Sequence, residues 1–164
     1  MAPHRPAPAT PALAVLAAAG VAHRVHRFAG GARDFGATAA ARLAERGIAA
    51  ERIAKTLVIE LTGAGPALAV IPVAARLAPK RAAAALGARG AALADPATAG
   101  RATGYVPGGI SPLGGRRRLP LVVDAALLAQ PAILVSAGRR GLDVELDPAE
   151  LVRLTGATVA PITA

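Results

Sequence analysis

The order of helical and extended patterns along this sequence predicts a single α/β (α+β) domain built on a mixed β-sheet. Its 164 residues are enough for one core of ordinary size, and 54% of them are hydrophobic. Short helical runs alternate with extended ones, and two extended runs are joined as a hairpin. Hairpins pair antiparallel and helical crossovers join parallel strands, so both kinds of pairing are expected. The domain is assigned to residues 10–164, after a basic, Pro/Ala-rich tail at 1–9 that is expected to be disordered.

The first helix and the first strand have clear end signals. Thr10 and Pro11 are an N-cap and an N1 proline, and Gly20 follows the apolar run ALAVLAAA as a C′ residue. A helix is therefore predicted over 11–19. The run VAHRVHRF at 21–28 alternates apolar and basic residues, which predicts a half-buried strand.

A second helix is predicted at 37–46, and a hairpin follows it. The runs IAKTLVIEL at 53–61 and PALAVIPV at 66–73 are apolar and rich in β-branched residues, and they flank a Thr-Gly-Ala-Gly turn. Lys55 and Thr56 lie near the start of this hairpin, where a side chain can emerge from a buried sheet into a pocket.

The second half of the chain shows the same alternation. Pro79 lies near the start and Gly87 just past the end of a helix predicted at 78–86. The remaining predicted elements are a helix capped by Asp95-Pro96 that runs to about Ala102, strands at 119–124, 132–137 and 142–146, a short helix at 124–130, and a last helix capped by Asp147-Pro148 and ended by Gly156.

The segment Gly104–Pro120, GYVPGGISPLGGRRRLP, is here called the cradle loop. It contains five glycines and three prolines, followed at 116–118 by three arginines. Glycine lets a ligand approach bare backbone N–H groups and proline rigidifies the chain, so the pattern predicts a rigid concave loop with charge suited to phosphate. A structural turn with a solvated basic run is the alternative.

The overall charge indicates an anionic partner. The formal net charge is +9, and nucleic acid is the first candidate. An anionic membrane is the alternative, but the sequence has no basic amphipathic helix and no long apolar run to support it. The chain has no cysteine, which excludes disulfides and thiolate chemistry and favours a cytoplasmic protein. With three histidines, at 4, 23 and 26, no metal site is expected.

No familiar catalytic constellation is present. Ser111 and Ser136 lie outside a G-x-S-x-G elbow, and no histidine is placed by sequence to activate them. Asp143 and Glu145 lie two apart on a predicted strand, where a solvated strand face is more common than an acid–base pair. Lys55 is costly to bury without a partner, which points to an anionic or hydroxyl-rich ligand; a snorkelling lysine is the alternative.

Three separated motifs carry a family resemblance. AKTLV at 54–58, GYVPGGISPLG at 104–114 with its basic run, and VSAGRRGLDVEL at 135–146 resemble the YbaK/EbsC family of aminoacyl-tRNA deacylases, which is related to the editing domain of bacterial prolyl-tRNA synthetases. The resemblance covers nearly the whole chain from about Thr10, and is greatest to the Cys-tRNA(Pro) deacylase branch. It implies a mixed, partly barrel-like sheet surrounded by helices.

The resemblance also implies a site. Lys55 is expected against the terminal ribose of the aminoacyl-tRNA, and Phe28 replaces a common tyrosine, which loses a hydroxyl. The expected catalytic residues are Lys55, Gly109 and Ile110, the last two through their N–H groups; the expected substrate-binding residues are Phe28, Phe35, Thr56, Gly108, Ser111, Pro112, Ser136 and Asp143; and the expected tRNA-binding residues are Arg116, Arg117, Arg118, Arg139 and Arg140.

The implied activity needs no cofactor or metal. An aminoacyl ester is already activated, so positioning and oxyanion stabilisation can suffice. In the Cys-specific branch the resemblance implies that the substrate's own thiol attacks its carbonyl, and that the partners are the tRNA acceptor end and prolyl-tRNA synthetase. Two alternatives stay open: a deacylase for Ala or another small amino acid, and a noncatalytic module that binds tRNA or a synthetase. Alanine-editing relatives tend to carry a His-Pro pair near the position where this chain has Gly141-Leu142-Asp143. The lack of that pair here favours Cys as the amino acid.

Overall fold

The computed structural model describes residues 10–28, 41 and 43–164. Its helices are α1 (Pro11–Ala19), α2 (Pro79–Ala85), α3 (Pro96–Thr103), α4 (Ala125–Leu128) and α5 (Pro148–Thr155), with a 3-10 turn at Ala50–Arg52. Its strands are β1 (His23–Arg27), β2 (Ala54–Leu61), β3 (Gly65–Pro72), β4 (Ala91–Leu93), β5 (Leu121–Asp124), β6 (Ile133–Arg139), β7 (Leu142–Leu146) and β8 (Thr158–Ala160). The predicted tail, Phe35 and most of the helix predicted at 37–46 lie outside the described residues, although 41 and 43–45 are helical.

The helices begin and end where their caps predict. The Thr10 hydroxyl accepts a hydrogen bond from the Leu13 N–H at 3.2 Å, and the Asp95 carboxylate accepts one from the Thr98 N–H at 2.8 Å. Gly20 follows α1 in the left-handed region at φ +64°. These contacts satisfy backbone groups that a helix end leaves unpaired, so the predictions of α1 and α3 are confirmed.

The strands form two sheets. The small sheet has the order β1-β7-β6 and is antiparallel. The large sheet has the order β4-β2-β3-β5-β8; the predicted β2–β3 hairpin is antiparallel, whereas β3–β5 and β5–β8 pair parallel. The mixed α/β class is therefore confirmed, and the two sheets do not close into a barrel. The three-residue strands β4 and β8 were not predicted, because so short a run carries no periodicity.

One backbone bridge joins the two sheets. Ile53, just before β2, pairs parallel with Leu134 of β6, and both side chains are buried. The far end of β2, from Ile59 to Leu61, pairs instead with β4. Strand β2 therefore belongs to the large sheet and touches the small sheet at its start, a place that we call the β2–β6 junction.

The core consists of aliphatic side chains of moderate size. Val58, Val70, Val123, Val135 and Val144 are at most 5% exposed and pack in one cluster between the sheets and the helices. This agrees with the sparse aromatic content. None of the helices among the described residues combines the length and the hydropathy needed to cross a membrane.

The burial of strand β1 does not follow its alternation of apolar and basic residues. Val25 is 36% exposed, whereas Phe28 packs against the buried side chains of Leu43 and Leu134. His26 lies on the same side as Phe28 and is half-buried. The polar face can turn inward here because the His26 ring is hydrogen-bonded to a carboxylate on β7, which offsets the loss of water.

We expect Gly138→Ala to destabilise the fold by roughly 1–3 kcal/mol, measured by urea unfolding. A Cβ at Gly138 would lie 2.6 Å from the Tyr105 ring, and this ring is held by its hydroxyl, which donates to the Leu113 carbonyl at 2.6 Å. Gly63 is the matched control, since its φ of +74° is similarly left-handed but nothing lies within 4 Å of a Cβ there. Equal losses for Gly138→Ala and Gly63→Ala would contradict the packing argument.

Candidate functional site

Four polar side chains form a row across four strands. In the small sheet Ser136 lies opposite Asp143, and Asp143 lies opposite His26. Two residues beyond the β2–β6 junction lie Lys55 on β2 and Ser136 on β6. Because side chains repeat on one face every two residues, Lys55, Ser136, Asp143 and His26 share one side of the sheet. We call these four residues the polar row.

An apolar wall borders the polar row. Phe28 extends β1 by donating its N–H to the Gly141 carbonyl at 2.8 Å, and its ring packs against the cluster of Leu43 and Ile53. The Arg46 guanidinium lies over this ring, 4.8 Å from its centroid. Phe28 thus lies beside the residues of the row, and its predicted role as a wall of the aminoacyl pocket stays a prediction.

Lys55 has no protein counter-charge in the described part of the chain. It is half-buried and follows Ile53 and Ala54, which are 2% and 8% exposed. Its ammonium makes no hydrogen bond or ion pair with any described residue. A cation this close to a buried strand is costly without a polar partner, so its surroundings suit an anionic or hydroxyl-rich ligand.

Thr56 points to the other side of the sheet. It lies opposite Val70 and alternates with Lys55, so its side chain faces the core that contains Val58. Its Oγ1 is buried and has no hydrogen-bond partner in the described structure. Lys55 and Thr56 were expected in one site because they are adjacent, but strand geometry separates them.

Asp143 and Glu145 have opposite electrostatic environments. Desolvation raises the pKa of Asp143 to about 7. Desolvation also acts on Glu145, but hydrogen bonds from His26 at 2.9 Å and Arg52 at 2.7 Å outweigh it and hold the pKa of Glu145 below its usual value. The face that carries these two carboxylates was expected to be solvated, but both residues are half-buried, and Glu145 is covered by His26 and Arg52.

His26 is committed to a structural network. The Arg46 guanidinium, which can only donate, lies 3.3 Å from Nδ1, so this nitrogen accepts and Nε2 carries the proton donated to Glu145. Glu145 in turn binds Arg52, which also donates to the Ala132 carbonyl at 2.8 Å. Sequence reasoning missed this network, because its partners are 119 and 93 positions apart.

The cradle loop docks on the turn between β6 and β7, the two strands that carry Ser136 and Asp143. A Cβ on Gly109 would lie 2.9 Å from the Arg140 N and 3.0 Å from the Arg139 carbonyl carbon, so only glycine fits. The Arg140 side chain donates to the Pro107 carbonyl at 2.8 Å and fastens the loop from the other side. Arg140, predicted to bind tRNA, therefore also positions the loop.

The two expected N–H donors of the loop differ. The Gly109 N–H already donates to the Val106 carbonyl at 2.9 Å, so it is not available to a substrate in this conformation. The Ile110 N–H makes no hydrogen bond with the described residues. Gly108 is exposed and adopts φ +84°, which shapes the turn. Of the two predicted donors, only the Ile110 N–H is unengaged among the described residues, and its role toward a substrate stays a prediction.

Ser111 and Pro112 are turned away from the polar row. Both are buried, and the Ser111 hydroxyl accepts the Leu113 N–H at 3.2 Å. They line a cavity behind the loop, which Gly108, Gly109 and Ile110 do not line. Their predicted contact with the substrate stays a prediction.

The predicted tRNA-binding arginines are exposed, but they are not equivalent. Arg118 donates to the Thr155 carbonyl at 3.2 Å, at the C-terminus of α5, where a cation is favourable. Arg116 and Arg117 are exposed and make no side-chain hydrogen bond or ion pair with the described residues, whereas Arg139 and Arg140 both have protein partners. Among the residues that the structure describes, no three His, Cys, Asp or Glu side chains come together to hold a metal ion.

Replacing Asp143 by Asn should change how stability depends on pH. The pKa of Asp143 is raised on folding, so its contribution to stability is complete below pH 3.8 and is lost as the pH rises through about 7. Between pH 5 and 8 the wild type should therefore lose on the order of 2–3 kcal/mol relative to Asp143→Asn, measured by urea unfolding. A constant difference between the two proteins would show that Asp143 is not desolvated.

The part of the chain that matches a known family contains all three motifs. Residues 35–154 match the model of the aminoacyl-tRNA editing domain. A relative in Enterococcus faecalis (strain ATCC 700802 / V583), the proposed Cys-tRNA(Pro)/Cys-tRNA(Cys) deacylase EbsC, is 38% identical over 117 residues, which are 71% of each chain.

Solved structures agree in fold. The crystal structure of hypothetical protein APE2540 has a TM-score of 0.80 at 32% identity and covers 91% of this chain and 96% of its own. A proposed trans-editing enzyme for prolyl-tRNA synthetase has a TM-score of 0.75 at 27% identity and covers 87% of both chains. These matches confirm the resemblance to the YbaK/EbsC deacylases, and the chain belongs to the family of aminoacyl-tRNA editing domains.

Proposed function

We propose that this protein is a trans-editing enzyme that releases cysteine from Cys-tRNA(Pro), and also from Cys-tRNA(Cys), with residues 10–164 as its deacylase domain. The observation that carries the proposal is the unpartnered Lys55 in a row of polar side chains, beside a loop with an unused N–H at Ile110. The relative named for deacylation of Cys-tRNA(Pro) and Cys-tRNA(Cys) supports the choice of amino acid.

Lys55 holds the end of the tRNA. Its ammonium binds the terminal ribose or its phosphate, while the Ile110 N–H receives the carbonyl oxygen of the ester. The Lys55 ammonium is carried by strand β2 and the Ile110 N–H by the cradle loop. Both elements are fixed by backbone contacts, so the ester is held without rearrangement. The Phe28 ring closes the pocket against water on one side.

The substrate supplies the nucleophile. Its thiol attacks the ester carbonyl, a carbon–sulfur bond forms, and the carbon–oxygen bond to the ribose breaks. The thiol proton passes to the departing ribose hydroxyl, so the products are a cyclic thiolactone and intact tRNA. Among the described residues neither Ser111 nor Ser136 is hydrogen-bonded to a histidine or a carboxylate, and His26 has both ring nitrogens engaged, so no base–nucleophile pair is formed there.

Asp143 recognises the amino end of the substrate. With a pKa of about 7 the carboxyl changes its charge near neutral pH. In its ionised form it attracts the α-ammonium of the aminoacyl group, and Ser136, directly opposite on β6, provides a neighbouring hydroxyl. Burial strengthens this attraction because little water competes for the charge.

Selectivity for the tRNA requires a partner. The domain has one Tyr, two Phe and no Trp, which gives it few platforms for unpaired bases. We infer that prolyl-tRNA synthetase supplies the recognition of tRNA(Pro), in keeping with the trans-editing function named for the structural relative.

Lys55→Ala should lower the rate of deacylation by roughly a hundredfold or more, because one charged contact of this kind contributes on the order of 2–4 kcal/mol to the transition state. Lys55→Arg should fail as well, since the larger planar head cannot take the place of the ammonium. Lys80→Ala, at an exposed position on α2, is the matched control and should keep full activity. Full activity of Lys55→Ala with a native circular dichroism spectrum would contradict this role.

A panel of aminoacylated tRNA(Pro) should reveal the nucleophile. Cys-tRNA(Pro) should be cleaved, and Ser-tRNA(Pro), which lacks the thiol, should react roughly a hundredfold more slowly or not at all. Pro-tRNA(Pro) is the control that should remain intact. Equal rates for Cys and Ser would mean that water attacks; cleavage confined to Ala-tRNA(Pro) would indicate an alanine editor, and no cleavage at all a binding module.

A further inference from the structure

A cavity of about 190 Å³ lies behind the cradle loop, between α1, α5 and the start of β5. Its deeper walls are aliphatic: Leu68, Leu113 and Leu121 are at most 7% exposed, and the half-buried Val15 and Leu154 lie beside them. Such walls favour a flat or apolar group that leaves water.

The mouth of this cavity is cationic. Arg117 and Arg118 line it and are exposed, and Arg118 is held in place by the Thr155 carbonyl at 3.2 Å. No described acidic residue lines the cavity. An anionic group at the mouth would therefore meet two guanidinium groups, which bind phosphate well.

Unused hydrogen-bond donors add to this character. Ser111 is 1% exposed; its oxygen accepts the Leu113 N–H, and its own O–H donates to no described residue. The N–H groups of Gly114 and Gly115 likewise make no hydrogen bond with the described residues. The cavity thus combines an apolar interior with hydrogen-bond donors on its loop side and two arginines at its mouth.

We propose that this cavity binds one unpaired nucleotide of the tRNA 3′ end, with the base against the leucines and the phosphate on Arg117 and Arg118. The inference rests on the proposed function and names a second contact for the same substrate. The cradle loop lines the cavity at 111–115 and contacts, at Gly109, the turn between the strands of Ser136 and Asp143, so RNA that follows the loop leads from the cavity toward the polar row. The net charge of +9 favours RNA over other ligands that combine an apolar body with an anion.

Binding of an RNA hairpin with a tRNA-like unpaired 3′ end tests the proposal. An abasic nucleotide is placed in turn at each of the three unpaired positions before the terminal adenosine. At one position it should weaken binding by about tenfold, measured by fluorescence anisotropy. Gly115→Leu, where a Cβ meets only ordinary contacts of 3.5 Å or more, should bind the intact hairpin about tenfold more weakly and no longer distinguish the abasic one.

Two more variants complete the test. Ala92→Leu, on the exposed edge strand β4, is the control and should bind like the wild type. Arg117→Gln should reduce the slope of log affinity against log salt by about one unit. Because Arg117 is exposed, this variant and the abasic series on the wild type decide the matter even if Gly115→Leu is unstable.

The outcomes separate this inference from the proposed function. If no abasic position matters and Arg117→Gln keeps the wild-type salt slope, the cavity does not bind RNA, whether or not Cys-tRNA(Pro) is cleaved. If free CMP or AMP binds as tightly as the hairpin and is excluded by Gly115→Leu, the site serves a free mononucleotide and the RNA proposal is overturned. Base-dependent binding without any deacylation would leave this inference standing and reject the enzyme.

Discussion

The candidate site depends on the β2–β6 junction, where the backbone of Ile53 pairs with that of Leu134. Strand β2 is held by β3 along its whole length and by β4 at its far end. Its start is therefore the part that meets the small sheet. This contact places Lys55 beside Ser136 and, across the antiparallel pairs, in line with Asp143 and His26. Lys55 belongs to the large sheet, and the junction is the backbone contact that brings it next to the other three members of the row, which belong to the small sheet.

Close backbone contacts hold the cradle loop against this frame. A Cβ on Gly109 would meet the backbone of the β6–β7 turn, one on Gly114 would lie 2.6 Å from the Pro11 carbonyl, and one on Gly138 would strike the Tyr105 ring. The glycines allow the loop to touch two elements that are distant in sequence. A loop packed this closely loses little entropy when it receives a substrate, which suits a site that works by positioning rather than by a strong base.

Charge is divided between structure and ligand binding. Glu145 is ion-paired with Arg52 and hydrogen-bonded to His26, and this network ties β1, β7 and the 3-10 turn together beside the row. Asp143, two residues away, has no such partner, and its burial raises its pKa to about 7. Lys55 is likewise without a partner among the described residues. Glu145 thus belongs to a network within the fold, whereas Asp143 and Lys55 have no ion-pair partner among the described residues and are proposed to bind the substrate.

Local patterns in the sequence determined the helices, the hairpin and the family. Helix caps such as Thr10 and Asp95 act within three residues, and the three motifs that carry the resemblance are contiguous runs. The functional roles that the resemblance implies for the site residues stay predictions. The residues at 1–9 and Phe35 lie outside the described chain, so the predictions made for them stay predictions.

Tertiary structure alone decided how those residues are used. The Thr56 side chain faces the core and that of Lys55 faces the polar row. The Gly109 N–H donates to Val106 within the loop, and Ser111 lines the cavity behind the loop. Tertiary structure also left Asp143 half-buried on a face that was expected to be solvated, and it left Val25 exposed on a strand that was expected to be half-buried. The physical reason is that burial and hydrogen bonding depend on partners from distant parts of the chain. A local sequence pattern does not identify those partners.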